Sequence, residues 1–329
     1  MIKALLEIKD LQIGFSSKGQ KIIIQDHLDL SIHGGELICL IGPNGVGKST
    51  LLKTLGKIIP PLSGDILIHG KNYTSITNDE FSRNIGLVLT DHLDDSQLVA
   101  ADVIAMGRYP YTGFWGKLKE KDWQIVEESA QKVGINQLLD RYFIELSDGE
   151  KQKVMIAKAL AQQTPLMLLD EPTAFLDFPT KTSLLIMLRK LARMQNMAII
   201  LSTHDIELAI KTADQIWLFP EHQKSINGLP EELVLNGQII DVFKNKEMTF
   251  DMKTGHFERI FTSKRALKVS GDSRNILWLK KALARNEVSI ADHADLEIFF
   301  NGQYQILNKG KNICSLNSIK EVLDHLKIQ

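Results

Sequence analysis

Residues 42–50 read Gly42-Pro43-Asn44-Gly45-Val46-Gly47-Lys48-Ser49-Thr50, and this stretch is the most informative part of the sequence. It fits the pattern G-x-x-x-x-G-K-[ST], in which glycines let the backbone turn so that successive N–H groups point at phosphate oxygens. An apolar run over 36–41 precedes it, and leucines at helical spacing follow it. Strand, glycine loop and helix in this order indicate a phosphate-binding loop.

Two side chains of this loop have predicted roles in holding a nucleotide. Lys48 is expected to reach the β- and γ-phosphates, and Ser49 to ligate Mg²⁺. The helix that begins near Lys48 presents its positive end to the same anion. The alternative is a glycine turn between strand and helix that binds no ligand. The loop by itself indicates a nucleotide, but it does not indicate which kind of machine uses it.

A second group of candidate residues stands at the ends of later apolar strands. The run over 166–169 ends in Asp170 and Glu171. Asp170 is predicted to hold Mg²⁺, directly or through water, and Glu171 to polarise a water for attack on the γ-phosphate. His204 ends the next apolar strand, where it can bond the γ-phosphate and orient that water. The alternatives are solvated carboxylates and a solvated histidine at ordinary strand ends.

Composition excludes several classes of protein. The chain has 329 residues with ordinary globular usage, and its formal net charge of −1 leaves neither half with the basic excess of a dedicated nucleic-acid binder. The two cysteines, Cys39 and Cys314, make no disulfide framework and fit a reducing compartment. No apolar run approaches the roughly 20 residues of a membrane-spanning helix, so a role at a membrane requires a partner.

The order of predicted elements indicates an α/β protein with two units. Strands alternating with helices predict a parallel sheet with its chemistry at the carboxyl ends of the strands. The first unit is expected over 1–240, with a mainly helical part at about 77–161. A small α/β unit is expected over 257–329. It would contain a strand (266–269), a helix (273–285), a hairpin (296–300 and 304–307) and a closing helix (318–327).

The role of the small unit stays open at this stage. The residues Gly271-Asp272-Ser273 before its first helix could invite an anion, or Asp272 or Ser273 could simply cap that helix. The unit could regulate the first unit or stabilise a dimer.

Together these residues resemble the ATP-binding subunit of ABC transporters over about 1–240. Leu146-Ser147-Asp148-Gly149-Glu150 stands at the place of the family's LSGGQ signature, and Ala174-Phe175-Leu176-Asp177 resembles its D-loop. His204 resembles the switch histidine. Phe15 resembles the aromatic on which adenine stacks, the alternative being a core aromatic in a strand. The resemblance thus assigns nucleotide contacts to Phe15, the loop 42–50, Ser147, Asp148, Gly149, Glu150 and Asp177.

The resemblance implies a P-loop NTPase of the ABC ATPase type, with a mixed-sheet core, a helical subdomain and a small C-terminal α/β extension. It implies ATP and Mg²⁺ as cofactors and ATP hydrolysis as the reaction. Two copies are expected to close head to tail, so that the phosphate loop of one and the signature of the other share each nucleotide. The expected partners are a second ATP-binding subunit, an integral membrane permease and, indirectly, a substrate-binding protein, with no nucleic acid. The expected location is the cytoplasmic side of the inner membrane, as a peripheral subunit.

A closer resemblance is to subunits of importers for iron–siderophore complexes, haem or cobalamin. The stretch 99–118 carries it, especially Gly107-Arg108 and the aromatic, glycine-rich run that follows. In the family this region faces the permease. Its aromatic residues are therefore expected either to form a docking patch or to pack inside the helical subdomain; they are Tyr109, Tyr111, Phe114 and Trp115. The alternative function is a soluble ABC-type scaffold that uses ATP-gated dimerisation to assemble complexes without transport.

The signature departs from the family pattern at two positions. Asp148 replaces a glycine and Glu150 replaces a glutamine. Two added carboxylates should weaken triphosphate binding if both point inward. Alternatively, Asp148 caps a helix that starts near Gly149, and both carboxylates face solvent or basic neighbours. In that case Ser147 and the Gly149 amide are expected to keep the γ-phosphate contact.

The Q-loop also departs from the pattern. After residues 86–89 the family usually places a glutamine whose carbonyl contacts Mg²⁺, whereas this chain has Thr90 and Asp91. Thr90 is the candidate metal ligand through its hydroxyl, and Asp91 offers a carboxylate instead.

Overall fold

The protein was analysed as a computed structural model that describes residues 4–17, 20–89, 97–113, 116–221, 223–243, 248–251, 255–259, 266–271, 273–291 and 293–326. The chain divides into two compact units, residues 1–243 and 244–329. No helix in these described ranges is long and apolar enough to cross a membrane.

The first unit contains ten strands and nine helices among the described residues. In chain order they are β1 (Leu6–Ser17), β2 (Gln20–Ile32), β3 (Leu37–Ile41), α1 (Lys48–Leu55), β4 (Ser63–Ile68), β5 (Lys71–Asn72), α2 (Asn78–Ser82), β6 (Ile85–Val88), α3 (Ala100–Ala105), α4 (Glu120–Val133), α5 (Asp148–Ala161), β7 (Leu166–Leu169), α6 (Phe178–Gln195), β8 (Ala198–Ser202), α7 (Ile206–Thr212), β9 (Gln215–Leu218), β10 (Ile226–Gly228), α8 (Pro230–Leu235) and α9 (Gln238–Phe243). A 3₁₀ turn, Met106–Tyr111, follows α3 directly.

These strands form two sheets that share one apolar core. The first is antiparallel with the order β2-β1-β4-β5, and the second has the order β10-β9-β3-β8-β7-β6. Strands β3, β7 and β8 are buried at every residue, as expected for parallel strands covered on both faces. Because β3, β8 and β7 are neighbours and run parallel, their carboxyl ends bring the loops after them to one edge of the sheet.

The stretch 77–161 is mainly helical, but it contains a core strand that the sequence analysis did not predict. Ile85–Val88 forms β6, which pairs parallel with β7 at the edge of the second sheet. Four residues are too few for periodicity to separate a strand from a helix, so neighbouring helical signals masked it.

Among its described residues, the second unit has a five-stranded sheet with two helices and a separate two-stranded hairpin. Its elements are β11 (Met248–Asp251), β12 (His256–Arg259), β13 (Ala266–Gly271), α10 (Ser273–Arg285), β14 (Ser289–Ile290), β15 (Leu296–Phe300), β16 (Tyr304–Asn308), β17 (Lys311–Leu316) and α11 (Ile319–His325). The sheet order is β14-β13-β15-β16-β17. The predicted first strand, helix, hairpin and closing helix are confirmed, and β17 is an addition. Asp272, one candidate cap, lies outside the described residues.

Candidate nucleotide-binding site

The phosphate loop lies between β3 and α1 and borders a pocket of about 380 Å³. The residues that line this pocket are Asn44, Gly45, Gly47, Lys48, Ser49, Thr50, Glu171 and His204. Gly47 has a left-handed φ of 106°, and a Cβ on it would lie 2.5 Å from a methyl carbon of Ile24. Gln25, which the sequence analysis missed, supports the loop from β2 because its Nε2 donates to the Val46 carbonyl at 3.0 Å.

The side chain of Lys48 is held inside the loop. Its Nζ donates to the carbonyl oxygens of Gly42 at 2.7 Å and Pro43 at 2.8 Å. Burial lowers the pKa of Lys48, while the charges of Glu171 and Asp170 act in the opposite direction. The ammonium is therefore held at a pocket that the carboxylate of Glu171 also lines.

Ser49 and Asp170 meet at the same edge, as the sequence analysis expects of two Mg²⁺ ligands. The Ser49 hydroxyl donates to Asp170 Oδ1 at 2.8 Å, and Asp170 is 4% exposed. A hydroxyl and a carboxylate are hard oxygen donors of the kind that Mg²⁺ prefers, so this pair fits the metal. Thr90, the third candidate ligand, and its neighbour Asp91 lie outside the described residues.

Glu171 and His204 form the open side of the pocket. His204 Nε2 lies 2.5 Å from Glu171 Oε1, and the two side chains are 47% and 31% exposed. Glu171 has a left-handed φ of 47°, a conformation that costs a non-glycine residue about 1–2 kcal/mol. Its N–H donates to the hydroxyl of Ser202, the last residue of β8. This arrangement keeps a carboxylate and an imidazole in contact and open to solvent.

The signature and D-loop residues line a different pocket, of about 430 Å³. Its lining consists of Ser147, Asp148, Gly149, Glu150, Lys153, Phe175, Leu176, Asp177 and Thr180. It shares no lining residue with the pocket at the phosphate loop. Apart from Phe15, the sequence-predicted nucleotide contacts therefore lie at two separate pockets of one chain.

The expectation that Asp148 caps a helix starting near Gly149 is wrong. Helix α5 begins at Asp148, and Ser147 is its N-cap, because Ser147 Oγ accepts the Glu150 N–H and Glu150 Oε2 accepts the Ser147 N–H at 2.9 Å. This reciprocal pair is a capping box, whose Ser-x-x-Glu pattern was present in the sequence. The bonds from the Ser147 backbone and hydroxyl hold the pKa of Glu150 below its usual value. Asp148 is exposed.

The D-loop leads into helix α6 through a second cap. Asp177 Oδ1 accepts the Thr180 N–H at 3.0 Å, and bonds from the Thr180 side chain and backbone lower the pKa of Asp177. Phe175, two residues earlier, has a left-handed φ of 62° and is 81% exposed.

The aromatic residues singled out in the sequence differ in exposure and in the contacts that they make. Phe15 lies in β1 and is 45% exposed, so the alternative of a core aromatic is wrong, but it does not line the pocket at the phosphate loop. Tyr109 is exposed, whereas Tyr111 is half-buried and donates its hydroxyl to the Gln162 carbonyl. Phe114 and Trp115 lie outside the described residues.

Two family models match the chain. The ABC transporter model matches residues 25–174, and the iron ABC transporter C-terminal domain model matches residues 264–327. The first match spans the phosphate loop, the signature and the acidic strand end. The second falls within the small unit.

Several curated proteins are similar over most of their length. An uncharacterized ABC transporter ATP-binding protein of Methanocaldococcus jannaschii is 38% identical, over 77% of this chain and 86% of the relative. The petrobactin import ATP-binding protein FpuD of Bacillus anthracis is 34% identical, over 73% and 86%. The ferric enterobactin transport ATP-binding protein FepC of Escherichia coli is 31% identical, over 75% and 90%.

Solved structures share the fold. A metal-chelate type ABC transporter in an inward-facing conformation matches with a TM-score of 0.66 and 24% identity, over 79% of this chain and 98% of that one. The cbiO1 protein of Clostridium perfringens, part of an ABC transporter complex, matches with a TM-score of 0.61 and 27% identity, over 73% and 94%. The predicted fold class is thus confirmed, and the chain belongs to the ABC transporter ATP-binding proteins, a family of ATPases.

Proposed function

We propose that this chain is the ATP-hydrolysing subunit that powers import of an iron chelate, haem or cobalamin through a separate membrane permease. The observation that carries the ATPase part is the convergence of Lys48, Ser49, Asp170, Glu171 and His204 on one pocket. The names of relatives that import petrobactin and transport ferric enterobactin support an iron chelate as the cargo. The same names disfavour the alternative of a soluble scaffold.

The phosphate loop binds the nucleotide by fixed donors. The backbone N–H groups of residues 44–50 and the Lys48 ammonium face the phosphates, and α1 adds the positive end of its dipole. Ser49, Asp170 and Thr90 are the proposed ligands of Mg²⁺, which when bound neutralises charge on the β- and γ-phosphates. Phe15 is the proposed stacking partner of adenine.

Glu171 and His204 divide the work of hydrolysis. The Glu171 carboxylate accepts a proton from the attacking water, and its backbone is held in place by the bond from its N–H to Ser202 Oγ at 2.8 Å. His204 lies against the same carboxylate, so it can orient the water and contact the γ-phosphate.

A second copy of the chain completes each site. Each chain has two partial sites in separate pockets, and a head-to-tail pair would place the signature of one copy over the phosphate loop of the other. Ser147 Oγ and the Gly149 amide then contact the γ-phosphate, and Asp177 lies beside them. To do so, the Ser147 hydroxyl gives up its present bond to Glu150. The pair acts at the cytoplasmic side of the inner membrane, with a substrate-binding protein as an indirect partner.

Uptake measurements test the import function. Cells that lack this chain are supplied with a ⁵⁵Fe-loaded siderophore, haem or cobalamin, and are complemented with wild-type or Glu171→Gln protein. We expect wild-type protein, and not the variant, to restore uptake of one cargo class. We also expect the chain to copurify with an integral membrane protein. If cells that lack this chain take up all three cargo classes as well as complemented cells do, and no membrane protein copurifies, the scaffold is favoured.

A further inference from the structure

Helix α5 carries the signature at its first turn, and a cluster of side chains holds its other end. The 3₁₀ turn Met106–Tyr111 packs against this helix through Gly107 and Arg108. Gly107 is buried, and a Cβ on it would lie 2.1 Å from the Lys158 carbonyl oxygen, so only glycine permits this approach. The close contact fixes the backbone of the turn against the last part of α5.

Arg108 is the centre of this cluster. Its side chain is only 5% exposed, and its Nη1 donates to the Ala161 carbonyl at 2.7 Å and to Gln163 Oε1 at 3.1 Å. On its other edge, Nε donates to Asp122 Oδ1 at 3.0 Å. A guanidinium thus satisfies a free carbonyl at the carboxyl end of α5, where the helix dipole favours a cation.

Tyr111 and Gln162 extend the cluster to the sheet. The Tyr111 ring lies 4.0 Å from the Arg108 guanidinium carbon, and its hydroxyl donates to the Gln162 carbonyl at 2.8 Å. Gln162 Nε2 in turn donates to the Ile85 carbonyl at 3.0 Å and to the Ser82 carbonyl. The end of α5 is therefore tied both to the 3₁₀ turn and to the start of β6.

The cluster and Ser147 lie at opposite ends of α5. The helix has 14 residues, or about 21 Å, so a tilt of about 3° at its end moves Ser147 by about 1 Å. A misplacement of about 1 Å at a reacting centre can lower a rate by about a hundredfold. Arg108→Lys would keep the positive charge, but a single ammonium could not replace the two guanidinium nitrogens that bond Asp122 and the Ala161 carbonyl at the same time.

We propose that Arg108 is a positioning residue for the ATP that is bound by the partner copy. It holds the last turn of α5 so that Ser147, at the first turn, meets the γ-phosphate on the other chain's phosphate loop. The inference rests on the proposed head-to-tail pair. It predicts that a change at Arg108 acts on the partner's ATP and spares the ATP on the same chain.

Mixed dimers separate these two effects. A Glu171→Gln chain, which keeps ATP but does not hydrolyse it, is mixed in large excess with a second chain before Mg-ATP is added. The first phosphate burst then reports hydrolysis on the second chain alone. With Arg108→Lys on the excess chain, we expect the burst rate to fall about tenfold or more, because the live site uses the altered signature helix. With Arg108→Lys on the second chain instead, we expect the wild-type burst rate.

A milder variant and a matched control complete the test. Tyr111→Phe removes only the hydroxyl that reaches Gln162, so it should produce the same asymmetry with a smaller loss. Arg83→Lys is the matched control, because Arg83 also stacks on Tyr111, at 5.2 Å, and donates to the Pro110 carbonyl, but it has no contact with α5 among the bonds described. It should leave both pairings at the wild-type rate.

The outcomes distinguish this inference from the proposed function. A folding defect in Arg108→Lys would lower the burst rate in both pairings equally, and that result, or no loss in either pairing, overturns the role of Arg108. Ser147→Ala is run in the same pairings. If Ser147→Ala shows the asymmetry and Arg108→Lys does not, only the inference fails. If Ser147→Ala acts on its own chain's ATP, the head-to-tail pair fails as well.

Discussion

The hydroxyl of Ser202 donates to Asp170 Oδ1 at 2.7 Å, at the point where strands β8 and β7 end side by side. The same hydroxyl accepts the N–H of Glu171 at 2.8 Å. One buried oxygen therefore joins the proposed metal ligand to the proposed catalytic base. This contact fixes the backbone of Glu171 relative to the carboxylate of Asp170.

Ser202→Ala removes a single oxygen atom but should lower both the stability of the site and its rate of ATP hydrolysis. It leaves the Glu171 N–H without its acceptor, which costs about 1–3 kcal/mol of stability, and it removes one of the two hydroxyls that donate to Asp170. We expect ATP hydrolysis to fall about tenfold and to require more Mg²⁺. Mg²⁺ titrations of the ATPase rate check this. Ser202→Thr, which keeps a hydroxyl, is the control; an unchanged Mg²⁺ dependence in Ser202→Ala would contradict the account.

Asp148→Asn should strengthen ATP-driven pairing. Asp148 is exposed in the pocket of the signature, where in the proposed head-to-tail pair its carboxylate would repel the triphosphate of the partner copy. Removing one exposed charge is worth about 0.5–1 kcal/mol, or about a threefold lower ATP requirement. The ATP concentration at half-maximal rate, measured at low and high salt, tests this. Asp79→Asn, in the first turn of α2, is a matched control. No change at low salt would show that the carboxylate points away from the nucleotide.

Gly47→Ala should destabilise the nucleotide-free protein more than Gly45→Ala. Both glycines have left-handed φ angles, but a Cβ on Gly47 meets Ile24 at 2.5 Å, whereas a Cβ on Gly45 has no neighbour within 4 Å. Alanine in a left-handed conformation costs about 1 kcal/mol at either position, and only Gly47→Ala adds a steric clash with Ile24. Urea unfolding of the two variants without nucleotide gives the comparison. Equal losses would mean that Ile24 moves aside freely.

Asp122→Asn should lower stability at neutral pH by about 3 kcal/mol, because it breaks a buried ion pair with Arg108. The N–H of Lys119 first, and Arg108 as well, hold the pKa of Asp122 below its usual value. A lowered carboxyl pKa adds stability that is present above the unfolded value of about 3.9 and is lost as pH falls through the folded value. The stability curves of the two proteins should therefore converge below about pH 4. Parallel curves down to acid pH would contradict this.

The sequence analysis placed its candidate residues at one edge of the sheet because they follow strand ends, and the structure has Lys48, Ser49, Asp170, Glu171 and His204 at that edge. An apolar run followed by a glycine loop, and another followed by Asp170, are local signals, and parallel strands bring their ends together without further information. The positions of Lys48 and Asp170 at one edge of the second sheet follow from that rule.

The features that the sequence analysis missed depend on contacts between distant segments. Ser202 matters only because β8 lies beside β7, and Gln25 only because β2 passes over the phosphate loop. The Ser-x-x-Glu pattern of the Ser147–Glu150 capping box is present in the sequence, but the comparison with the family's signature led to Asp148 as the predicted cap. Strand β6 was too short to show its own period.

The shared site is the central claim, and trapping the nucleotide-bound pair tests it most directly. The Glu171→Gln chain is run on a sizing column with light scattering, with and without Mg-ATP. We predict a monomer without nucleotide and a dimer of twice the 37.0 kDa chain mass with it. Adding Ser147→Ala to that chain should abolish the dimer while ATP still binds. A monomer with Mg-ATP, or a dimer that ignores both nucleotide and Ser147, would contradict the account.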